Sequence, residues 1–281
     1  MKALITTAAV LLLSAAAAFA ELPPPVAAQR TDTPIVVDGD LSDAGWQHAS
    51  KYETWYETNP GDNVEPKVKT IGWVTYDSKF LYVAIESFDN KPSDIIAPYA
   101  DHDNISGNTD DYAGIIVDTR NDGKTAYLFL VTARGVQYDA ITDDAGNGED
   151  NSPDFFWDSA AKVNDHGWTM EMRVPFSAVR YDNPNPEAWG LTLYRNWPRD
   201  RRYQMFTSKL PRDKNCFVCN FGKLTNLQVK GSWDADRAMI GSSCGRLGTT
   251  CLALLTLEVY YRHLPLYKRD TGGMRELERG K

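Results

Sequence analysis

Aromatic rings, clustered carboxylates and one close cysteine pair are the residues with chemical potential in this 281-residue chain. Eight Trp and 14 Tyr are a rich supply of rings. Sugar rings present C–H faces that stack on Trp and Tyr, while polar side chains read the hydroxyls. Trp55, Tyr56, Trp157 and Trp197 are the candidate platforms. Each could equally pack in a core or at a sheet edge; Trp46, Trp73, Trp168 and Trp189 are assigned to the core. Acidic residues gather at Asp101, Asp103, Asp110 and Asp111, and again from Asp143 to Asp150 (DDAGNGED). Like charges this close need a cation or plentiful water. The second run mimics half an EF-hand loop, but Ala145 stands where an oxygen ligand is required and no Glu closes the loop, so a flexible turn is expected. Catalysis finds no support. Asp110 and Asp111 are neighbours entering a strand, so they point to opposite faces and cannot flank one glycosidic bond. The four His are scattered. Cys216 and Cys219 form a C-x-x-C. No thioredoxin-like βαβ pattern surrounds it and no further zinc ligands lie near in sequence, so a small local disulfide is expected.

The elements that must position these residues are strands. From Pro34 to about Gln228, short apolar runs follow one another with turn signals between them. The expected strands are Lys67–Tyr76, Phe80–Phe88, Tyr112–Asp118, Ala126–Thr132, Val136–Ala140, Phe156–Val163, Gly167–Val174, Trp189–Trp197, Tyr203–Phe206 and Gly222–Leu227. Only Ser42–Ser50 and Pro175–Arg180 look helical, and both are short. Many short strands without long helical patterns predict an antiparallel β-sandwich.

The ends differ from this body. Lys2, the apolar run Ile5–Leu13 and Ala18-Phe19-Ala20 have the form of a cleaved signal peptide over residues 1–20, which predicts export to the periplasm, outer membrane or exterior. Export favours disulfides among the four Cys. Residues 21–33, with Pro23 to Pro25, read as a linker. Residues 229–281 form a C-terminal tail with weak fold support. Its apolar run Leu252–Tyr261 is about half the ~20 residues of a membrane-spanning helix. The net charge of −8 argues against nucleic acid as a partner, since phosphate contacts need clustered Lys and Arg. The densest basic stretch, Arg195 to Arg202 (RNWPRDRR), reads as a solvated loop or an edge-strand device.

Three stretches carry a family resemblance. Ile35 to Trp46 contains Val37-Asp38-Gly39-Asp40-Leu41 and closes on Trp46; Tyr76 to Ala84 is followed by Asp89 and Pro92; and Asp110 to Asp118 reads DDYAGIIVD. In this order and spacing they resemble the family 9 carbohydrate-binding modules, over roughly Pro34 to Leu227. Ala126–Phe129, Gly135–Asp139, Trp157, Gly167–Glu171, Val174-Pro175-Phe176 and Trp189-Gly190-Leu191 resemble a subgroup that lies N-terminal to outer-membrane β-barrels. The resemblance implies a sandwich of the type shared with DOMON domains and a non-catalytic role binding a polysaccharide or oligosaccharide. It also implies structural Ca²⁺, for which Asp89 and Asp111 sit at matching positions; a solvated acidic loop is the other reading. One departure stands out. The best-known members clamp a sugar between two tryptophans; this chain has Ser106-Gly107-Asn108 at one position and Pro211 to Cys219, without a Trp, at the other. The alternative function is therefore a structural or interaction domain of an outer-membrane barrel-type protein, with no sugar site retained. A DOMON-type haem site would need axial Met and His, for which Met170, Met172 and His166 are the candidates.

Overall fold

The computed structural model describes residues 22–145 and 148–229. Its strands, in chain order, are β1 (Val26–Ala27), β2 (Gln29–Arg30), β3 (Ser50–Tyr52), β4 (Tyr56–Asn59), β5 (Thr70–Tyr76), β6 (Phe80–Phe88), β7 (Tyr112–Asp118), β8 (Thr125–Thr132), β9 (Gln137–Asp143), β10 (Gly148–Asp150), β11 (Asp158–Asn164), β12 (Gly167–Pro175), β13 (Ala188–Pro198), β14 (Arg202–Phe206) and β15 (Gly222–Thr225). Nine form one sheet in the order β1-β15-β13-β7-β8-β9-β10, with β14 bonded to β13 and β4. Six form the other, β11-β12-β6-β5-β2, with β3 on β5. All pairings are antiparallel except those of β1 and β2. The segment expected as a linker is thus stitched into the fold, because β1 pairs with β15 and β2 with β5.

Side chains alternate across each strand, so one parity faces the partner sheet. From the large sheet, Ala113, Ile115 and Val117 of β7, Phe129 and Val131 of β8, and Leu191 and Leu193 of β13 point inward. From the small sheet, Val83 and Ile85 of β6 and Trp168, Met170 and Met172 of β12 meet them. Burial of these apolar faces drives the two sheets together. The opposite parity of the large sheet carries Tyr112, Ile116, Leu128, Leu130, Tyr194 and Phe206. These form a second apolar layer on the outer face. A third small cluster, Ile35, Trp46, Tyr82 and Ala84, covers the outer face of the small sheet, with Trp73 half-buried against it. There Glu171, wholly buried, accepts bonds from Trp46 Nε1 (2.7 Å), Gly39 N (2.8 Å) and Asp38 N (3.0 Å). The Asp38-Gly39 turn and the Trp46 cap are thereby fixed to β12 by one carboxylate.

Candidate saccharide groove and the buried ion network

The outer face of the large sheet holds a cavity of about 610 Å³. Its floor is built from Tyr112 and Ile116 of β7, Leu128 and Leu130 of β8, and Tyr194 of β13. β14 adds Arg202, Gln204 and Phe206, whose side chains reach the same face. The rim comes from loops: Ile105 on one side, Leu210, Pro211 and Phe217 on another, and Tyr138 from β9. The loop residues are there because, on either side of β13, β7 begins opposite Asn196 and β14 ends opposite Tyr194, so the connections that enter β7 and leave β14 both overhang the sheet.

A polar array is set into this apolar bed. Arg202 Nη2 donates to Tyr112 Oη (3.0 Å) and Tyr194 Oη (3.2 Å), and Arg202 Nε donates to Asn196 Oδ1 (2.8 Å). Gln204 Nε2 also donates to Tyr194 Oη (2.9 Å). Asn196 Nδ2 in turn holds the carbonyls of Gly107 and Asp110, both at 2.9 Å, which anchors the loop before β7. Burial, with the neighbouring Tyr194 hydroxyl adding to it, pushes the Tyr112 phenol well above its usual range, so it stays a neutral hydroxyl. Burial works against the charge on Arg202, but the two phenol oxygens outweigh it and hold its pKa up. At the rim, Phe217 stands edge-on to Phe206 and to Phe221, which fixes the ring. Tyr138 Oη donates to Glu149 Oε2 (2.9 Å). Cys216 and Cys219 are joined by a disulfide in this wall.

The residues expected from sequence as platforms lie elsewhere. Trp55, Trp157 and Trp197 are buried in the core between the sheets. Trp157 Nε1 donates to Asp139 Oδ2 (2.8 Å), and its ring packs edge-on against Phe129. Trp55 Nε1 donates to the Tyr52 carbonyl (3.2 Å). Trp197 lies between the Arg199 guanidinium, 5.1 Å from its centroid, and Tyr203, also 5.1 Å away. All three are less than 9% exposed, and Trp157 alone reaches the edge of a hollow, beside Gln137, Asp158 and Arg173. Tyr56 is half-buried on β4, and Lys209 Nζ covers its ring at 5.1 Å. It faces a smaller hollow beside Pro23 and Pro24, not the groove.

Asp89 and Asp111 do come together, but around Arg199. Its Nη1 donates to Asp111 Oδ2 (2.9 Å), and its Nη2 to Asp111 Oδ1 (3.0 Å) and Asp89 Oδ2 (2.5 Å). Asp89 also accepts from Trp197 Nε1 (2.7 Å) and Lys91 N (2.8 Å), and Asp111 accepts from Ile96 N (2.8 Å). Every oxygen of the pair is engaged by a donor. A calcium ion needs six to eight oxygens facing it. These residues therefore fit a guanidinium and do not fit the ion. Burial raises the carboxyl of Asp111 above its usual range, a rise that its bonds to Arg199 and Ile96 N only partly offset. Arg195, fully buried beside them, donates to the carbonyls of Lys69 (3.1 Å) and Phe88 (2.8 Å) and to Thr70 Oγ1 (2.8 Å). Burial pushes its pKa down to about 10. The basic stretch, expected as a solvated loop or an edge-strand device, instead turns its arginines inward: Arg195 and Arg199 occupy the interior and Arg202 the groove.

Other expectations resolve simply. Met170 and Met172 are fully buried in the core, whereas His166 is exposed and bonded to Glu86 (3.0 Å), so they do not face one another across a haem site. Asp144, from the run expected as a flexible turn, caps the Phe217 and Val218 amides, and both it and Glu149 line the groove. The signal peptide, Cys244, Cys251 and the C-terminal tail lie outside the described residues. The groove residues themselves went unsingled in the sequence, although one signal was present. Tyr112, Ile116, Leu128 and Leu130 share the parity opposite to the core set, an apolar second face that a merely solvated sheet would lack.

A family model described as carbohydrate family 9 binding domain-like matches residues 37–209. The fold is similar to that of a carbohydrate binding module family 9 from Caldicellulosiruptor kristjanssonii in complex with cellotriose. That likeness has a TM-score of 0.50 and 15% identity and covers 76% of this chain and 97% of the other. It is similar also to a protein from Bacteroides uniformis ATCC 8492 provisionally described as carbohydrate-binding, at a TM-score of 0.54 and 10% identity, over 74% of this chain and 99% of that one. At these identities the likeness is one of fold. No curated protein matches the sequence.

Proposed function

The chain belongs to the carbohydrate family 9 binding domain-like family, and from that premise we propose that it is an exported, non-catalytic module that binds a saccharide in the groove over its nine-stranded sheet. The observation that carries this reading is the groove's composition: about 610 Å³ of concave surface in which an apolar, aromatic bed is interrupted by a convergent set of hydroxyl, amide and guanidinium groups. Binding is reversible and uses two kinds of contact. The half-buried rings of Tyr138 and Phe217 at the rim offer stacking surface for sugar C–H faces. Gln204, Arg202 and the Tyr112 and Tyr194 hydroxyls read the sugar hydroxyls. Their mutual bonds hold them in place before a ligand arrives, which lowers the ordering cost of binding. Export rests on residues 1–20, and association with the outer membrane on the likeness to modules that precede barrels.

The test is calorimetric titration of the full chain with cello- and xylo-oligosaccharides. Cellotriose comes first, because it is the ligand of the C. kristjanssonii module. Saturable heat that is lost in Phe217→Ala and in Tyr138→Ala, with the fold retained by circular dichroism, supports the groove. One observation favours the second reading, a structural or interaction domain of an outer-membrane barrel-type protein: among the described residues no tryptophan lines the groove. Absence of heat with every glycan from a folded protein would move the assignment there.

A further inference from the structure

We infer that the groove selects an anionic saccharide, one carrying a carboxylate or sulfate, through Arg202. This rests on the saccharide reading above and names its ligand class. The starting point is a difference between two arginines three residues apart. Arg199 is held by two carboxylates. Arg202 has neutral partners only: the Asn196 amide oxygen and two tyrosine hydroxyls. Among the described residues no carboxylate lies within 4 Å of it, and Nη1 donates to no described residue. A guanidinium taken half out of water and left without a counter-charge carries an uncompensated desolvation cost. An arriving anion removes that cost and gains charge-assisted bonds, roughly twice as strong as neutral ones. A neutral sugar does neither.

The surroundings keep this cation in place and in reach. The loop before β7 passes directly over the guanidinium at Gly107: a Cβ there would stand 2.4 Å from Arg202 Cζ and 2.7 Å from Nη1 and Nη2. A side chain there would have to push the guanidinium aside. This glycine falls within the Ser106–Asn108 stretch, so the loop contributes no side chain over the charge there. The rim adds Arg212 and Lys214, both exposed. Its two carboxylates are engaged: Asp144 accepts the Phe217 and Val218 amides, and Glu149 accepts the Tyr138 hydroxyl. Arg212 is paired with Asp62 at 3.8 Å, which leaves Arg202 and Lys214 as the lining cations with no carboxylate within 4 Å among the described residues, in a chain whose net charge is −8. Low-dielectric walls strengthen the field of the unpaired Arg202 within the cavity.

The experiment compares three ligands of one stereochemistry on the full chain: cellotriose, cellotriose oxidised to the carboxylate at C6, and cellotriose 6-sulfate. The expected result is that at least one anionic form binds about tenfold tighter than cellotriose, as a new charge-assisted contact supplies. The carboxylate and sulfate arms decide which anion is preferred. Raising NaCl from about 50 to about 300 mM weakens the anionic ligand and leaves the neutral one unchanged. Arg202→Gln, checked for fold by circular dichroism, brings the anionic and neutral affinities to parity. Should that variant unfold, the salt titration on the unmodified protein decides alone. Cellotriose binding as tightly as both anionic forms, or an anionic preference indifferent to salt, would overturn the inference and leave the saccharide reading standing. Failure of all three ligands to bind would remove both.

Discussion

Replacing Arg199 by alanine is expected to cost far more than an ordinary surface ion pair. The side chains of Asp89 and Asp111 are 1% and 0% exposed and that of Arg199 is 13% exposed, so the pair exchanges little with solvent. Together with Arg195 the cluster holds two negative and two positive charges; the substitution leaves two against one. Exposed pairs contribute about 0–1 kcal/mol. Removing one partner of a buried set strands the remaining charge and costs about 3–5 kcal/mol. We expect a loss of that size at pH 7, read from the urea midpoint with an unchanged m-value. The pH dependence gives an independent check. Asp111 already has its pKa raised by burial, and loss of the guanidinium raises it further. A carboxyl whose folded pKa lies above its unfolded one costs stability while ionised in the fold, and that cost is relieved as pH falls through the folded pKa. The deficit of the variant should therefore shrink as pH is lowered from 7 toward 5. A deficit under about 1 kcal/mol at pH 7, or one that grows on acidification, would refute the assignment of this cluster as a buried, charge-balanced network.

Further outcomes follow from the same geometry. Because Arg199 fills the site between Asp89 and Asp111, EDTA should leave the melting temperature of the protein unchanged, as read by differential scanning calorimetry; a fall of several degrees would place a structural cation elsewhere in the chain. Trp157→Ala should lower stability by about 3–5 kcal/mol in chemical denaturation, since it empties core space beside Phe129 and removes a bond to buried Asp139; a variant that keeps full stability but loses saccharide binding would restore Trp157 as a platform. Glu171→Gln should cost about 2 kcal/mol, because its amide nitrogen would face one of the N–H donors of Trp46, Gly39 or Asp38; unchanged thermal unfolding would sink this account of the Asp38-Gly39 turn.

Sequence alone determined the fold class. Period-two apolar runs and turn residues placed Phe80–Phe88 and Tyr112–Asp118 where the strands run, because alternation is a local property of the chain. The helical turn expected over Ser42–Ser50 is shorter, a 3-10 turn over Ala44–Trp46. Pairing is not local, so the stitching of residues 26–30 to β15 and β5 could not be read from a proline-rich stretch. The site was harder for a related reason. A tryptophan is legible as an aromatic, but whether its ring faces water depends on which sheet covers it, and Trp55, Trp157 and Trp197 are all covered. Likewise Asp89 and Asp111 read as candidate metal ligands until Arg199, 88 residues beyond Asp111, arrives between them. Charge chooses its partner only after the chain has folded, because the Coulomb term depends on a few ångströms that sequence separation does not specify. The tertiary structure therefore decided which arginine neutralises a carboxylate and which one has neutral partners only.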